Sequence, residues 1–268
     1  MKNRIQLVTL TFFLIANLSF GQKKIAASDI MKNIKEGKTI SYNNAIIEGV
    51  IDFTFMKEAM VKLQKQKNSW WSSDTDSDNK VEKTIANNIS FINCTFKDDV
   101  LAYIPDENSG YTFTASFENE VIFNDCTFER KAMFKYSDFD RNTTFKGSRF
   151  EDDSTFKYAE FKKDISFEKA FFKASAAFKY TKFKNYVTFL NSVFKETASF
   201  KYAKFDKGVS FQNAKFEEDL IIKYTEITGD FNITGMNVAH EIDSKYTKIN
   251  GSEFNKKHLL KRTNKTKY

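Results

Sequence analysis

The chain has 268 residues, 29% of them charged, with a formal net charge of +7, 30 Phe, two Cys, two His and one Pro. Two cysteines are too few for a disulfide-stapled small domain, and His240 and His258 have no metal-ligand spacing around them. No apolar run long enough for a second membrane-spanning helix follows the amino-terminal one.

The segment 1–21 reads as a secretory signal peptide. Lys2 and Arg4 form the basic start, Ile5 to Phe20 the apolar stretch, and Ser19-Phe20-Gly21 a small-x-small cleavage site. That stretch is short for a membrane span, and no Cys follows it to carry a lipid. The expectation is an exported protein, periplasmic or extracellular, that does not span the membrane after cleavage. Its net charge then falls from +7 to +5, because Lys2 and Arg4 leave with no acid.

Residues 22–39 read as an amino-terminal cap. Ser28 is placed to start a short helix, Ile30, Met31 and Ile34 share a face, and Gly37 ends it. An irregular insertion then spans 54–88. It opens with Met56, Met60 and Leu63 at helical spacing and continues through Trp70-Trp71 to Asp74-Thr75-Asp76-Ser77-Asp78. A second irregular stretch, 103–111, holds Pro105.

From Phe134 to Phe216 a Phe falls at every step of an alternating five-and-six count, so the pattern closes at every fourth Phe, as from Phe134 to Phe156. An eleven-residue half-period also occurs in helical supercoils, but it would scatter these Phe over two helix faces, among Thr, Ser and Asn that fill helices poorly. Local alternation favours strands. Two residues before each Phe sits a small or apolar side chain, from Ser137 and Thr143 through Val209 and Ala214. Period-two spacing turns both inward. Four steps make one coil with four faces, and coils stacked about 4.8 Å apart form four columns of rings. The sixth residue in alternate steps calls for a wider turn at two of the four corners.

The triplets Ser137-Asp138-Phe139, Ala159-Glu160-Phe161, Ala203-Lys204-Phe205 and Ala214-Lys215-Phe216 resemble the small-polar-Leu/Phe core of pentapeptide-repeat proteins. The resemblance covers 112–249 and recurs around Tyr42, Ile47, Phe53, Phe91 and Phe96. It implies an all-β fold: a right-handed, four-sided parallel β-helix over 40–249, with a helical cap before it and a partly helical insertion. It implies no shared activity. Residues 250–268 leave the register, turn basic, and read as a carboxy-terminal cap and tail.

Lys-Tyr pairs recur at Lys135-Tyr136, Lys157-Tyr158, Lys179-Tyr180, Lys201-Tyr202, Lys223-Tyr224 and Lys245-Tyr246. Stacked coils place the lysines on one vertical edge, where like charges repel unless an anion intervenes. Tyr faces could stack on sugar rings, and Asp138, Glu160 and Glu226 are placed to offset part of the charge. The plain alternative is a duplicated corner in which Lys covers Tyr with its stem.

Trp70 and Trp71 are candidates for partner binding, or for packing the inserted helix onto the wall. The Asp74, Asp76, Asp78 alternation suggests a calcium loop, but Asn79 and Ile85 stand where that loop needs Gly and Glu. Cys94 and Cys126 both face inward, and the spacing between them stacks them only if it equals one coil plus a ten-residue loop. No nucleophile elbow, phosphate loop or zinc pattern marks an enzyme, and no cofactor is called for.

The expectation is an exported non-catalytic scaffold for acidic glycan or other envelope material. The alternative is a protein-interaction module using 54–88. Nucleic acid fits the charge but not the compartment.

Overall fold

The computed structural model describes residues 22–67 and 79–255. The signal segment, Trp70, Trp71, Asp74, Asp76, Asp78, His258 and the tail from 256 lie outside the described residues.

One coil shows how the period becomes a prism. Thr143–Thr144, Arg149–Phe150, Ser154–Thr155 and Glu160–Phe161 form the first, second, third and fourth walls. The chain then returns to the first wall at Ile165–Ser166. Each strand pairs in parallel with its equivalent one coil later, as in Thr143↔Ile165, Phe150↔Phe172, Ser154↔Ala176 and Phe161↔Phe183. Repetition of this coil makes four parallel sheets, a right-handed four-sided β-helix.

The interior follows the alternation. The small residues two before each Phe, from Ser137 to Ala214, are all 3% exposed or less. Within each wall the Phe rings stack face to face at 4.6–5.4 Å. Rings of the first and third walls also interlock edge to face across the centre. Phe145–Phe156, Phe156–Phe167 and Phe167–Phe178 all lie at 5.3 Å with planes 74–82° apart. Both arrangements suit the ring quadrupole.

The corners obey the step lengths. Five-residue steps close in tight turns, where the Ser148 N–H donates to the Phe145 carbonyl and the Ala159 N–H to that of Phe156, each at 3.1 Å. The residue before each donor is left-handed, with Gly147 at φ +67° and Tyr158 at φ +59°. This is the type II pattern. A Cβ on Gly147 would sit 2.0 Å from Asp125 Oδ1, so any other residue there requires the Asp125 side chain to move. The extra residue of the six-residue steps goes to the other two corners, as the step lengths require.

A buried hydroxyl secures several turns from the coil above. Thr181 Oγ1 donates to the Phe156 carbonyl at 2.7 Å, Thr225 Oγ1 to that of Phe200 at 2.8 Å, and Ser148 Oγ to that of Phe123 at 2.7 Å. At Phe156 and Phe200 the same carbonyl oxygen also closes the turn, through the N–H of Ala159 and Ala203. The hydroxyl is thereby satisfied where no water reaches it.

The early coils resolve the register. Phe91 pairs with Phe123 and Val100 with Ala132, so the cysteine spacing is one coil plus ten. The ten do not form the loop expected at 103–111. Tyr103–Asp106 pairs antiparallel with Tyr111–Phe117 as a hairpin, and Pro105 lies on its outer strand, where no N–H is required. The insertion also ends earlier than 88. Helix α2 covers Met56–Lys67, and Lys80–Ile85 is already back in the fourth wall, paired with Thr112 to Phe117.

The cap differs from expectation at its start. Lys23–Ala26 is a strand paired with Ala45 to Glu48, and it feeds straight into helix α1, Ala27–Lys35. Ser28 therefore lies inside the first turn and caps nothing, while Ala27, Ile30 and Ile34 cover the core. At the far end Asn250 and Gly251 are both left-handed, at φ +49° and +79°, and turn Ser252–Glu253 back against Lys248–Ile249. The helix thus covers the first coil, and at the far end the hairpin adds a strand to the fourth wall.

Phe178→Ala should cost about 3–5 kcal/mol in urea unfolding, because the rigid stack cannot collapse on the cavity. Thr181→Val should cost about 1 kcal/mol, whereas Ser137→Ala should cost nothing measurable, since the Ser137 hydroxyl has no partner among the described residues. Equal losses for these two hydroxyl variants would contradict the turn-securing role.

Candidate functional site

The corner between the third and fourth walls is an x-Lys-Tyr-small turn repeated coil after coil, where x is Phe up to Phe200, then Ile222 and Ser244. Tyr136, Tyr158, Tyr180, Tyr202, Tyr224 and Tyr246 all occupy its left-handed position, with φ between +58° and +63°. A side chain bearing Cβ costs about 1–2 kcal/mol there. The diagonally opposite corner fills the equivalent place with Asn191, Asn213, Gly147 and Gly235 among others. Asn and Gly tolerate this conformation, so the turn by itself does not select Tyr.

Stacking is what the tyrosines gain. Their centroids lie 4.6–4.9 Å apart with planes within 21°. The rings therefore cover one another's faces, which corrects the expectation that those faces would take sugar rings. Solvent meets ring edges and hydroxyls, with Tyr158 still 43% and Tyr180 40% exposed. Loss of water around the ring, with Tyr158 and Tyr202 on either side, holds the Tyr180 hydroxyl above its ordinary range. It stays neutral, and can donate and accept.

The lysines flank this ladder. Lys135, Lys157, Lys179, Lys201 and Lys223 are half-buried, and Lys245 is exposed. Lys135 Nζ lies 4.7 Å from the Tyr136 centroid, Lys245 Nζ 5.0 Å from that of Tyr246, and Lys201 Nζ 5.1 Å from that of Tyr202. Burial, then Lys179 and Lys135, holds Lys157 below the usual lysine range. Among the described residues none of the six forms an ion pair with a carboxylate.

The acids expected to compensate do so elsewhere. Glu160 pairs with Lys182 at 3.4 Å and Glu226 with Lys204 at 3.2 Å, inside their own column on the fourth wall. They fail to reach because strand alternation points them out of the neighbouring wall. Burial, then Glu160, pushes the Asp138 carboxyl up.

Both irregular segments spring from this same corner. Register aligns Phe53 and Ala102 with Phe134, so Thr54 and Tyr103 stand where higher coils have Lys135. Phe55, at φ +50°, takes the place of Tyr136. Helix α2 leaves the coil there, and the 103–117 hairpin leaves one level above. Read from sequence, edge and insertion are separate features; the fold makes them continuous, and only the register could have revealed it. Beside Phe55 a cleft of 470 Å³ opens between α1, α2 and Lys80–Ile85, floored by Phe55, Ala59, Leu63 and Val81.

Other candidates offer less. Cys94 and Cys126 stack in successive coils as free, buried thiols. Burial pushes the Cys126 thiol up, and it donates to the Phe91 carbonyl at 3.3 Å. His240 pairs with Glu218, at 2.8 Å. Among the described residues no three His, Cys, Asp or Glu gather as a metal site.

Tyr180→Asn should leave stability within about 1 kcal/mol, relief of the left-handed conformation offsetting two lost stacks. A loss above about 2 kcal/mol on denaturation would exceed two lost stacks less that relief, and would make the ladder a principal source of stability.

A family model for pentapeptide repeats (9 copies) matches residues 113–160, 156–203 and 178–225. No curated protein and no solved structure is significantly similar. The matched coils are those in which small-polar-Phe strands build the four walls. Residues 113–225 are thus pentapeptide repeats, in a variant form in which every second step carries a sixth residue.

Proposed function

We propose that this protein is an exported scaffold that holds a linear acidic glycan, or similar anionic envelope material, along its lysine–tyrosine edge. The repeat scaffold follows from the fold and the family; the export and the ligand are part of this reading. The observation that carries it is the column of lysines, from Lys135 to Lys245, with no carboxylate partner among the described residues. Repeated at the coil spacing, these charges repel, and a polyanion lying along the edge relieves them.

The ladder supplies the rest. The Tyr158 N–H donates to the Lys179 carbonyl and the Tyr180 N–H to that of Lys201, each at 3.0 Å, so the edge is held in place before any ligand arrives. The tyrosine hydroxyls can bond sugar hydroxyls edge-on.

A second reading, a partner protein held by the insertion, which the fold narrows to the chain between Asp52 and Lys80, draws on the apolar cleft beside Phe55 and on Val61, which is 51% exposed. For that reading, deleting the insertion should abolish partner capture while lysine substitutions leave it intact.

Retention on immobilised polyuronate across a salt gradient tests the first reading. The protein should be held and released by salt, and the Lys157→Gln, Lys179→Gln, Lys201→Gln variant should elute far earlier. Equal elution of the two would sink the glycan reading. Because Lys157 sits below its usual range, retention should begin to weaken at a pH lower than an isolated lysine would require. The same variant should be as stable as the native protein or up to about 1 kcal/mol more stable at low salt, with the gain shrinking as salt rises.

A further inference from the structure

We infer that the foot of this edge is an end-binding pocket, which takes the carboxylate-bearing terminal residue of the acidic polymer. The inference rests on the reading of the edge as a glycan site and adds a direction to it.

The ladder changes character at Tyr136. Above it, Tyr158 stacks at 4.9 Å with planes 19° apart. Below it, Tyr103 lies 5.9 Å away and is tilted by 54°. The lower face of Tyr136 is thus not covered by a parallel ring. Two ammonium groups converge there instead. Lys135 Nζ stands 4.7 Å from the Tyr136 centroid and 4.6 Å from that of Tyr103, and donates to the Tyr103 hydroxyl at 3.2 Å. Lys80 Nζ stands 5.9 Å from the Tyr136 centroid. A pocket of 310 Å³, lined by Asn79, Lys80, Thr112 and Tyr136, opens at this place.

These groups suit a chain end. A uronate terminus offers one carboxylate for the Lys80 ammonium inside the pocket and the Lys135 ammonium beside its Tyr136 wall, where Lys135 is held by the Tyr103 hydroxyl, and free hydroxyls for the Asn79 amide and the Thr112 hydroxyl. Mid-edge lysines offer charge alone. The hairpin that begins at Tyr103 stands where the next coil of the edge would be, so a polymer following the lysines downward stops there. An interior sugar, which must continue in both directions, cannot enter. Glu82, 3.2 Å from Lys80 Nζ, is the acid to displace, with both side chains 40% exposed, and Asp138 lies near enough to act on the same lysine.

The test is calorimetric titration of the protein with galacturonate oligomers from the dimer to the octamer, beside polyuronate retention. Lys80→Gln and Tyr103→Phe are compared with the mid-edge Lys201→Gln, each checked by its melting curve. The dimer should bind the native protein and lose about tenfold in affinity with each foot variant, but little with Lys201→Gln. Long-polymer retention should show the opposite order. If the polymer is retained but the dimer binds foot variants as well as native protein, the pocket is refuted and the edge survives. If neither polymer nor oligomer binds, the glycan reading itself falls and the pocket with it.

Discussion

One distance governs this molecule: the separation of neighbouring strands in a parallel ladder, about 4.8 Å. Backbone hydrogen bonds fix it, and every side chain that repeats with the coil inherits it. For aromatic rings it is close to an optimal stacking separation, and the Phe columns at 4.6–5.4 Å exploit it without a break from Phe91 to Phe216. For charges it is an unfavourable separation unless signs alternate, as they do where Glu160 meets Lys182 and Lys204 meets Glu226. The fold therefore rewards a repeated ring and penalises a repeated lysine.

Against that background the lysine–tyrosine corner stands apart, because two unfavourable features are repeated together. Tyrosines hold a backbone conformation that Asn or Gly fill more readily at the opposite corner. Lysines line up beside them without an ion pair to any carboxylate among the described residues, Asp153 being near enough to act on Lys157. The ladder of rings offsets the first feature through stacking. Among the described residues no ion pair offsets the second, and Asp153 acts on Lys157 only as a weaker influence than burial and the neighbouring lysines; the proposed anionic ligand is an answer to that repulsion.

The interruptions follow the same geometry. Helix α2 and the Tyr103 hairpin leave the prism at this one corner, and the other three corners run on through the first coils. A tight turn that already faces solvent is the least disruptive place to let chain out of a solenoid, since both flanking strands keep their ladders. The consequence is a single continuous edge that is irregular at the foot and regular above.

Much of this was legible in the sequence. The count of Phe positions, the small residue two before each, and the extra residue at alternate steps determined four walls, an aromatic interior and two kinds of corner, because a strict period leaves the chain no other way to bury its rings. The sequence also placed the lysines and tyrosines on one edge. It could not show that the tyrosines are left-handed and stacked, since that depends on the turn closing onto Phe carbonyls and on the next coil lying above. Nor could it join Phe55, Tyr103 and Tyr136 across the irregular chain between them. That required the parallel register, in which Ile51, Val100 and Ala132 align. Periodicity fixes what repeats; only the tertiary ladder decides what a departure from the repeat ends up beside.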